Sequence, residues 1–212
     1  MHDTVEFINA YYAEIKHVSD VTKSRNEINN KAWRPPNDNR IKVNFDAAFK
    51  QNQNKSVSGI IARNKEGEVM AACTYPGRNI VDPTIAEARA CLQAATMAEN
   101  LGFQEVEVEG DALTVIKKLT LNSEDKSTIR GYIQEIKRKA CIFRSIQFSH
   151  IPREANRVAH ELGREGWRFE DPQYWMEEVP NTVEDLVNRD RNHNNGRRDN
   201  NNESGSGNDK VI

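Results

Sequence analysis

The chain has almost no net charge to read. Among its 212 residues, 30 Lys and Arg stand against 32 Asp and Glu, a formal net charge of −2 at pH 7. The strongly basic balance that announces a polyanion-binding protein is therefore absent. Cysteine is scarce as well. Cys73, Cys91 and Cys141 form no Cys-x-x-Cys pair and lie in apolar segments, which leaves neither a zinc ribbon nor a disulfide framework to build. Reduced core thiols are expected, in keeping with an intracellular chain of nucleus or cytoplasm. No apolar run reaches the length of about 20 residues that crosses a bilayer, so no membrane association is expected. The opening Met1-His2-Asp3-Thr4-Val5-Glu6 lacks a basic stretch followed by an apolar run, so no secretory signal is expected either. No internal repeat is evident.

What is present is enough length for one domain with a real core, plus extensions. Val5, Ile8, Tyr11, Tyr12 and Ile15 fall near helical spacing, and Trp33-Arg34-Pro35-Pro36 marks an extended boundary after them. Residues 1–39 are read as an N-terminal helix and linker. Residues 40–167 read as β-β-β-α-β-α-α-β-α. Val43 and Phe45 alternate with Asn44 and Asp46 in the first strand; Val57 to Arg63 and Val69 to Tyr75 give the next two, around a turn at Asn64-Lys65-Glu66-Gly67. Asp82-Pro83 opens a helix as cap and first-turn residue, and Gly102 follows its end. Val106 and Val108 mark strand four, Ala112 to Leu119 and Thr128 to Lys139 two helices, Ser145 to His150 strand five, and Arg153 to Arg164 a last helix. The pattern predicts an α/β fold with a five-stranded mixed sheet and flanking helices. Residues 168–187, with the aromatics Phe169, Tyr174 and Trp175, are read as a C-terminal extension. The Asn-, Asp-, Arg- and Gly-rich residues 188–212 are read as a disordered tail.

Three carboxylates invite a joint reading. Asp46 lies inside an apolar strand, where an unpaired charge is costly to bury; alternatively its face, shared with Lys42 and Asn44, is solvated. Glu87 shares a helix face with Ala90, Cys91, Ala94 and Ala98, small residues suited to close packing on a sheet; alternatively it is a first-turn acid favoured by the helix dipole. Asp111 follows Gly110 at a strand end, where sites gather in open sheets; alternatively it caps the next helix. Carboxylates on strand, helix and strand are a common way to hold Mg²⁺, a hard cation that prefers oxygen ligands.

Val43-Asn44-Phe45-Asp46-Ala47-Ala48, Ala86-Glu87-Ala88-Arg89-Ala90 and Val108-Glu109-Gly110-Asp111 together resemble the type 1 ribonuclease H domain, especially its plant retroelement-type (reverse transcriptase-like) branch. The resemblance runs from about Ile41 to Gly166. It implies a three-layer ribonuclease H-like fold and an Mg²⁺-dependent endonuclease, with Mn²⁺ as a substitute, that cuts the RNA strand of RNA–DNA hybrids. It implies that Asp46, Glu87 and Asp111 hold two metal ions about 3.5–4 Å apart that clamp the scissile phosphate and activate a water. Their carboxyl oxygens should then approach within roughly 4–7 Å, given Mg²⁺–O distances of about 2.1 Å.

The same resemblance makes His150 the proton-transfer residue and gives Asn156 the position that opens the next helix. The bland readings are a strand-end His beside Pro152 and an ordinary helix-capping Asn. His160 stands where the family usually supplies a fourth carboxylate. A neutral imidazole is a poorer Mg²⁺ ligand than a carboxylate, so the second metal site is expected to be weak. Lys137, Arg153 and Arg157 are candidate phosphate contacts, against a default of ordinary solvated cations. Ala47 replaces a frequent glycine, and Asp82-Pro83-Thr84 replaces an Asn that commonly touches RNA ribose. The inserted basic helix of some members is missing between Thr120 and Lys126. A 3′–5′ exonuclease is disfavoured, because Asp46-Ala47-Ala48 lacks the Asp-x-Glu of that group. The competing function is a catalytically degenerate nucleic-acid-binding or protein-interaction module.

Overall fold

The computed structural model of the chain describes residues 32–36, 38–121 and 126–203. The helix expected near the N-terminus lies outside them. β1 (Ile41–Lys50), β2 (Lys55–Arg63) and β3 (Val69–Arg78) form an antiparallel meander, followed by α1 (Pro83–Asn100), β4 (Glu105–Gly110), α2 (Leu113–Thr120), α3 (Arg130–Ala140), β5 (Ser145–His150), α4 (Arg157–Glu165), β6 (Gln173–Met176) and α5 (Asn181–Glu203). The strands lie in the order β5-β4-β1-β2-β3-β6. β4 is parallel to both β1 and β5, so the sheet is mixed, as expected.

Local chemistry explains the elements. The Asn64 side chain accepts from the backbone N–H of Glu66 (3.0 Å) and Glu68 (2.9 Å), and Gly67 takes a positive φ, which closes the β2–β3 turn. Asp82 caps α1 by accepting from Thr84 N (2.7 Å), and Pro83 starts the helix with a preset φ. α1 presents Ala88, Ala90, Cys91, Ala94 and Ala98 to the sheet, where they bury Val43, Phe45, Ile60 and Val108 together with Ile133 and Ile136 of α3. On the other face, Ile61 and Ala72 pack against Val158 and Leu162 of α4 and Val183 and Val187 of α5. The result is three layers, helices on both sides of one sheet.

The structure departs from the sequence reading in four places. Among the described residues the sheet has six strands, not five: the aromatic segment Gln173–Met176 pairs with β3, placing Trp175 opposite Ala72. Four residues are too short a run for periodicity to reveal. The last expected helix is split, because Asn156 (φ −102°, ψ 18°) breaks a 3₁₀ turn at Arg153–Ala155 from α4. α5 continues past Asn188, where composition predicted disorder, and Asp190 within it pairs with the buried Arg63 at 2.7 Å. Finally, the face of β1 carrying Lys42 and Asn44 is covered rather than solvated. Trp33 lies over it, donating from Nε1 to Asn44 Oδ1 (2.9 Å) and stacking under the Arg63 guanidinium.

Candidate metal centre

Pairing of β1 with β4 ends at Phe45 and Gly110, while β1 stays paired with β2 to Lys50. A crevice therefore opens between β1 and β4 one residue further on, where Asp46 and Asp111 stand. This is the point at which the strand order changes direction, beyond the carboxyl ends of the parallel pair, the usual location of sites in such sheets. Gly110 lets the strands close up to that point, since a Cβ there would lie 2.5 Å from the Phe45 ring. Glu87 reaches the crevice from the second turn of α1 and receives the backbone N–H of Ala47. One ligand oxygen from each of Asp46, Glu87 and Asp111 lies within 4.8 Å of the others. Asp111 does not cap α2, whose first turn has no side-chain cap.

α4 supplies the fourth side of the cluster. It approaches β2 closely because Gly59, the cross-strand partner of Asp46, has no Cβ; one built there would lie 2.2 Å from the Ala159 carbonyl. That contact brings His160 Nδ1 to 2.8 Å from Asp46 Oδ2, while His160 Nε2 faces the Arg153 guanidinium at 3.2 Å. Both ring nitrogens are thus engaged, so His160 borders Asp46 as a hydrogen-bond partner. Asn156 does not cap α4 with its side chain. Its Nδ2 donates to the Phe45 carbonyl (2.8 Å) and to Asp111 Oδ1 (3.3 Å), fixing the ends of both parallel strands.

The electrostatics follow from the crowding. Burial, then the negative charge of Asp46 and of Asp111, raises the Glu87 carboxyl well above its ordinary value. Burial and Asp111 raise Asp46 too, partly offset by the hydrogen bond from His160. Among the described residues, Glu87 Oε2 and Asn156 Oδ1 are both buried with no hydrogen-bond partner. A buried carboxylate oxygen without a donor, facing two more carboxylates, is costly unless a cation completes it. These residues therefore fit a hard divalent metal ion.

His150 ends β5 opposite Gly110 and next to the cluster, outside the carboxylate trio. Partial burial lowers its pKa, against the opposing pull of Asp111. Arg153 and Arg157 are exposed and share a shallow depression with His160. Lys137 sits in the last turn of α3 and donates to the Leu121 carbonyl, so it belongs to the helix layer behind α1.

A family model described as reverse transcriptase-like matches residues 44–166. The chain belongs to that family. No curated protein matches this reverse transcriptase-like chain. Its fold is ribonuclease H-like. A ribonuclease H1 from the halophilic archaeon Halobacterium salinarum is similar at 24% identity, over 61% of this chain and 98% of that one, with a TM-score of 0.57. The N-terminal ribonuclease H domain of a Mycobacterium tuberculosis protein is similar at 20% identity, over 62% of this chain and 95% of the solved fusion, TM-score 0.55. LC11-RNase H1, solved with an RNA/DNA hybrid, is similar at 20% identity, over 59% and 95%, TM-score 0.53.

Sequence reasoning missed the polar network beside the reverse transcriptase-like site. Asn44 accepts from Trp33 and Arg63 (3.0 Å) and donates to Glu109 Oε2 (3.2 Å), while Lys42 Nζ contacts Glu109 at 2.9 Å and Glu107 at 3.2 Å. The only sequence signal was the run of polar residues at every second position of β1 and β4, which also fits a solvated face.

Proposed function

We propose that this chain is a divalent-metal-dependent endonuclease that hydrolyses the RNA strand of RNA–DNA hybrids. The observation that carries the reading is the convergence of Asp46, Glu87 and Asp111 from three elements onto one metal-sized cluster, with Glu87 Oε2 buried and unpartnered. The hybrid bound by LC11-RNase H1, a protein of the same fold, supports the substrate class. When bound, the metal supplies charge that activates a water and offsets the negative charge of the reacting phosphate.

The chain's own residues do the rest. Asp46, Glu87 and Asp111 would hold the ion. Asn156 keeps Asp111 fixed against the end of β1, so the ligands are set before substrate arrives. His150, at the end of β5 beside Asp111, would accept a proton at a ring nitrogen near the cluster. Arg153 and Arg157 offer guanidinium groups to phosphates along the same edge.

A catalytically degenerate nucleic-acid-binding module is the second reading, favoured by His160 at the position of the missing carboxylate. One experiment separates the two. Purified protein is incubated with labelled RNA–DNA hybrid, duplex DNA and duplex RNA in Mg²⁺ or Mn²⁺. Cleavage confined to the RNA strand of the hybrid, and lost in Asp46→Asn, supports the enzyme. Retained hybrid binding without cleavage selects the module.

A further inference from the structure

Arg153 occupies an unusual position for a candidate phosphate contact: its guanidinium faces His160 Nε2 at 3.2 Å, and His160 Nδ1 faces Asp46 Oδ2 at 2.8 Å. A guanidinium carries only donors. His160 Nε2 must therefore accept, and the ring proton of the neutral imidazole sits on Nδ1, aimed at the carboxylate. Arg153, His160 and Asp46 form a directional chain, each group donating to the next. Asp46 is the innermost of these and is 5% exposed, whereas Arg153 is solvent-exposed.

We propose that Arg153 is a positioning residue for the metal centre, acting through His160 to hold the Asp46 carboxylate in its ligating orientation. The proposal rests on the reading of Asp46, Glu87 and Asp111 as metal ligands. The imidazole leaves one Asp46 edge for a cation by occupying the other, and Arg153 keeps that imidazole from rotating away. A carboxylate at position 160 would hold metal directly; here the same place in α4 orders a ligand instead. Groups that orient a ligand in this way commonly contribute on the order of 10- to 100-fold in metal affinity.

The sign of the effect separates this role from simple charge. Arg153 is a cation close enough to act on Glu87. If it acted by charge alone, removing it would strengthen binding of a divalent cation. If it acted only on phosphates, metal binding without nucleic acid would not change. If it positions Asp46, metal binding weakens.

The test is calorimetric titration of the full chain with Mn²⁺, without nucleic acid, for wild type, Arg153→Met, Arg153→Lys and Asp46→Asn. Wild type should bind in a manner abolished by Asp46→Asn. Arg153→Met should bind about 10-fold more weakly, and Arg153→Lys, which restores a donor of similar reach, should recover most of the loss. Proton NMR gives a second readout. The hydrogen-bonded imidazole N–H of His160, identified by its absence in His160→Gln, should be visible in wild type and broadened away in Arg153→Met. Unchanged or tighter Mn²⁺ binding by Arg153→Met, or an unaltered His160 N–H, overturns the role of Arg153 while leaving the metal site intact. Absence of Asp46-dependent binding in wild type overturns the metal site itself.

Discussion

His160 Nδ1 lies 2.8 Å from Asp46 Oδ2, so the imidazole touches a candidate metal ligand directly. The two residues are 114 positions apart in sequence, and their contact depends on how closely α4 packs on β2. Replacing the imidazole by an acid should therefore reverse the sign of the interaction. In metal-free His160→Asp, a donor to Asp46 becomes a third neighbouring anion, and the lost charge-assisted hydrogen bond costs about 1.5–3 kcal/mol. Saturating Mg²⁺ should recover more stability in this variant than in wild type, because a hard oxygen replaces a nitrogen. Melting temperatures with EDTA and with Mg²⁺ check both halves; equal Mg²⁺ gains in the two proteins would contradict the account.

The crowded acids set a second expectation. Asp46→Asn removes one charge from a site whose members repel one another, so the metal-free variant should melt no lower than the metal-free wild type. Wild type should gain about 2.7 kcal/mol when Mg²⁺ stands at roughly 100 times its dissociation constant, and the variant should lose most of that gain. Thermal unfolding across a Mg²⁺ series measures it. Equal stabilisation of both proteins would place the metal elsewhere.

The pH dependence follows from Glu87. Its carboxyl is raised in the folded chain from an ordinary value of 4.5. The folded state thus holds a proton that the unfolded state has already released, over the interval above 4.5 up to the raised value. Stability in EDTA should fall as pH rises through that interval, because the unfolded state binds fewer protons there. Glu87→Gln should flatten the slope, and Mg²⁺ should oppose it in wild type by favouring the ionised ligand. Urea unfolding at stepped pH in EDTA is the measurement; a wild-type stability that climbs through the same interval contradicts the assignment.

Much of this arrangement was legible in the sequence, because the informative features were local. Alternation fixed the strands around Phe45 and Val108, Asp82-Pro83 marked the start of α1, and the alanines following Glu87 marked a helix face that packs on a sheet. The features that were not legible depend on distant partners. Lys42 and Asn44 read as solvated because nothing near them in sequence shows that Trp33 lies over that face and that Arg63 and Glu109 join them in one polar network. Asp190 lies in a segment whose composition matches disorder, yet Arg63, 127 residues away, pairs with it. β6 is four residues long and takes its identity from the free edge of β3.

That long-range pairing is itself testable. A chain ending at Val187 keeps Val183, Leu186 and Val187, the apolar residues of α5 that pack on this side of the sheet, but removes Asp190. Arg63, 1% exposed in the full chain, would then lose its carboxylate. Breaking a buried pair in this way costs about 3–5 kcal/mol. Urea unfolding of the shortened and full chains measures the difference, and Asp190→Asn in the full chain should reproduce most of it. A shortened chain as stable as the full one would show that the pair contributes nothing.

Gly59 offers the most direct link from packing to the site. It pairs with Asp46 across β1 and β2, and α4 packs against it so tightly that a Cβ would clash with the α4 backbone. In Gly59→Ala the added methyl would lie 2.2 Å from the Ala159 carbonyl and 2.3 Å from the Gly163 backbone N, neither of which is a flexible side-chain end. α4 must move outward, carrying His160 away from Asp46. Overpacking of this kind costs about 1–3 kcal/mol, and loss of the His160 contact should weaken Mn²⁺ binding in the same direction as Arg153→Met. Stability alone would not establish the link, since any strained core residue lowers it. The decisive comparison is Mn²⁺ affinity at a temperature where Gly59→Ala is fully folded. Reduced affinity together with a lost His160 imidazole N–H signal ties the glycine to the metal centre, whereas a destabilised protein with unchanged affinity would mean that α4 packing and metal binding are independent.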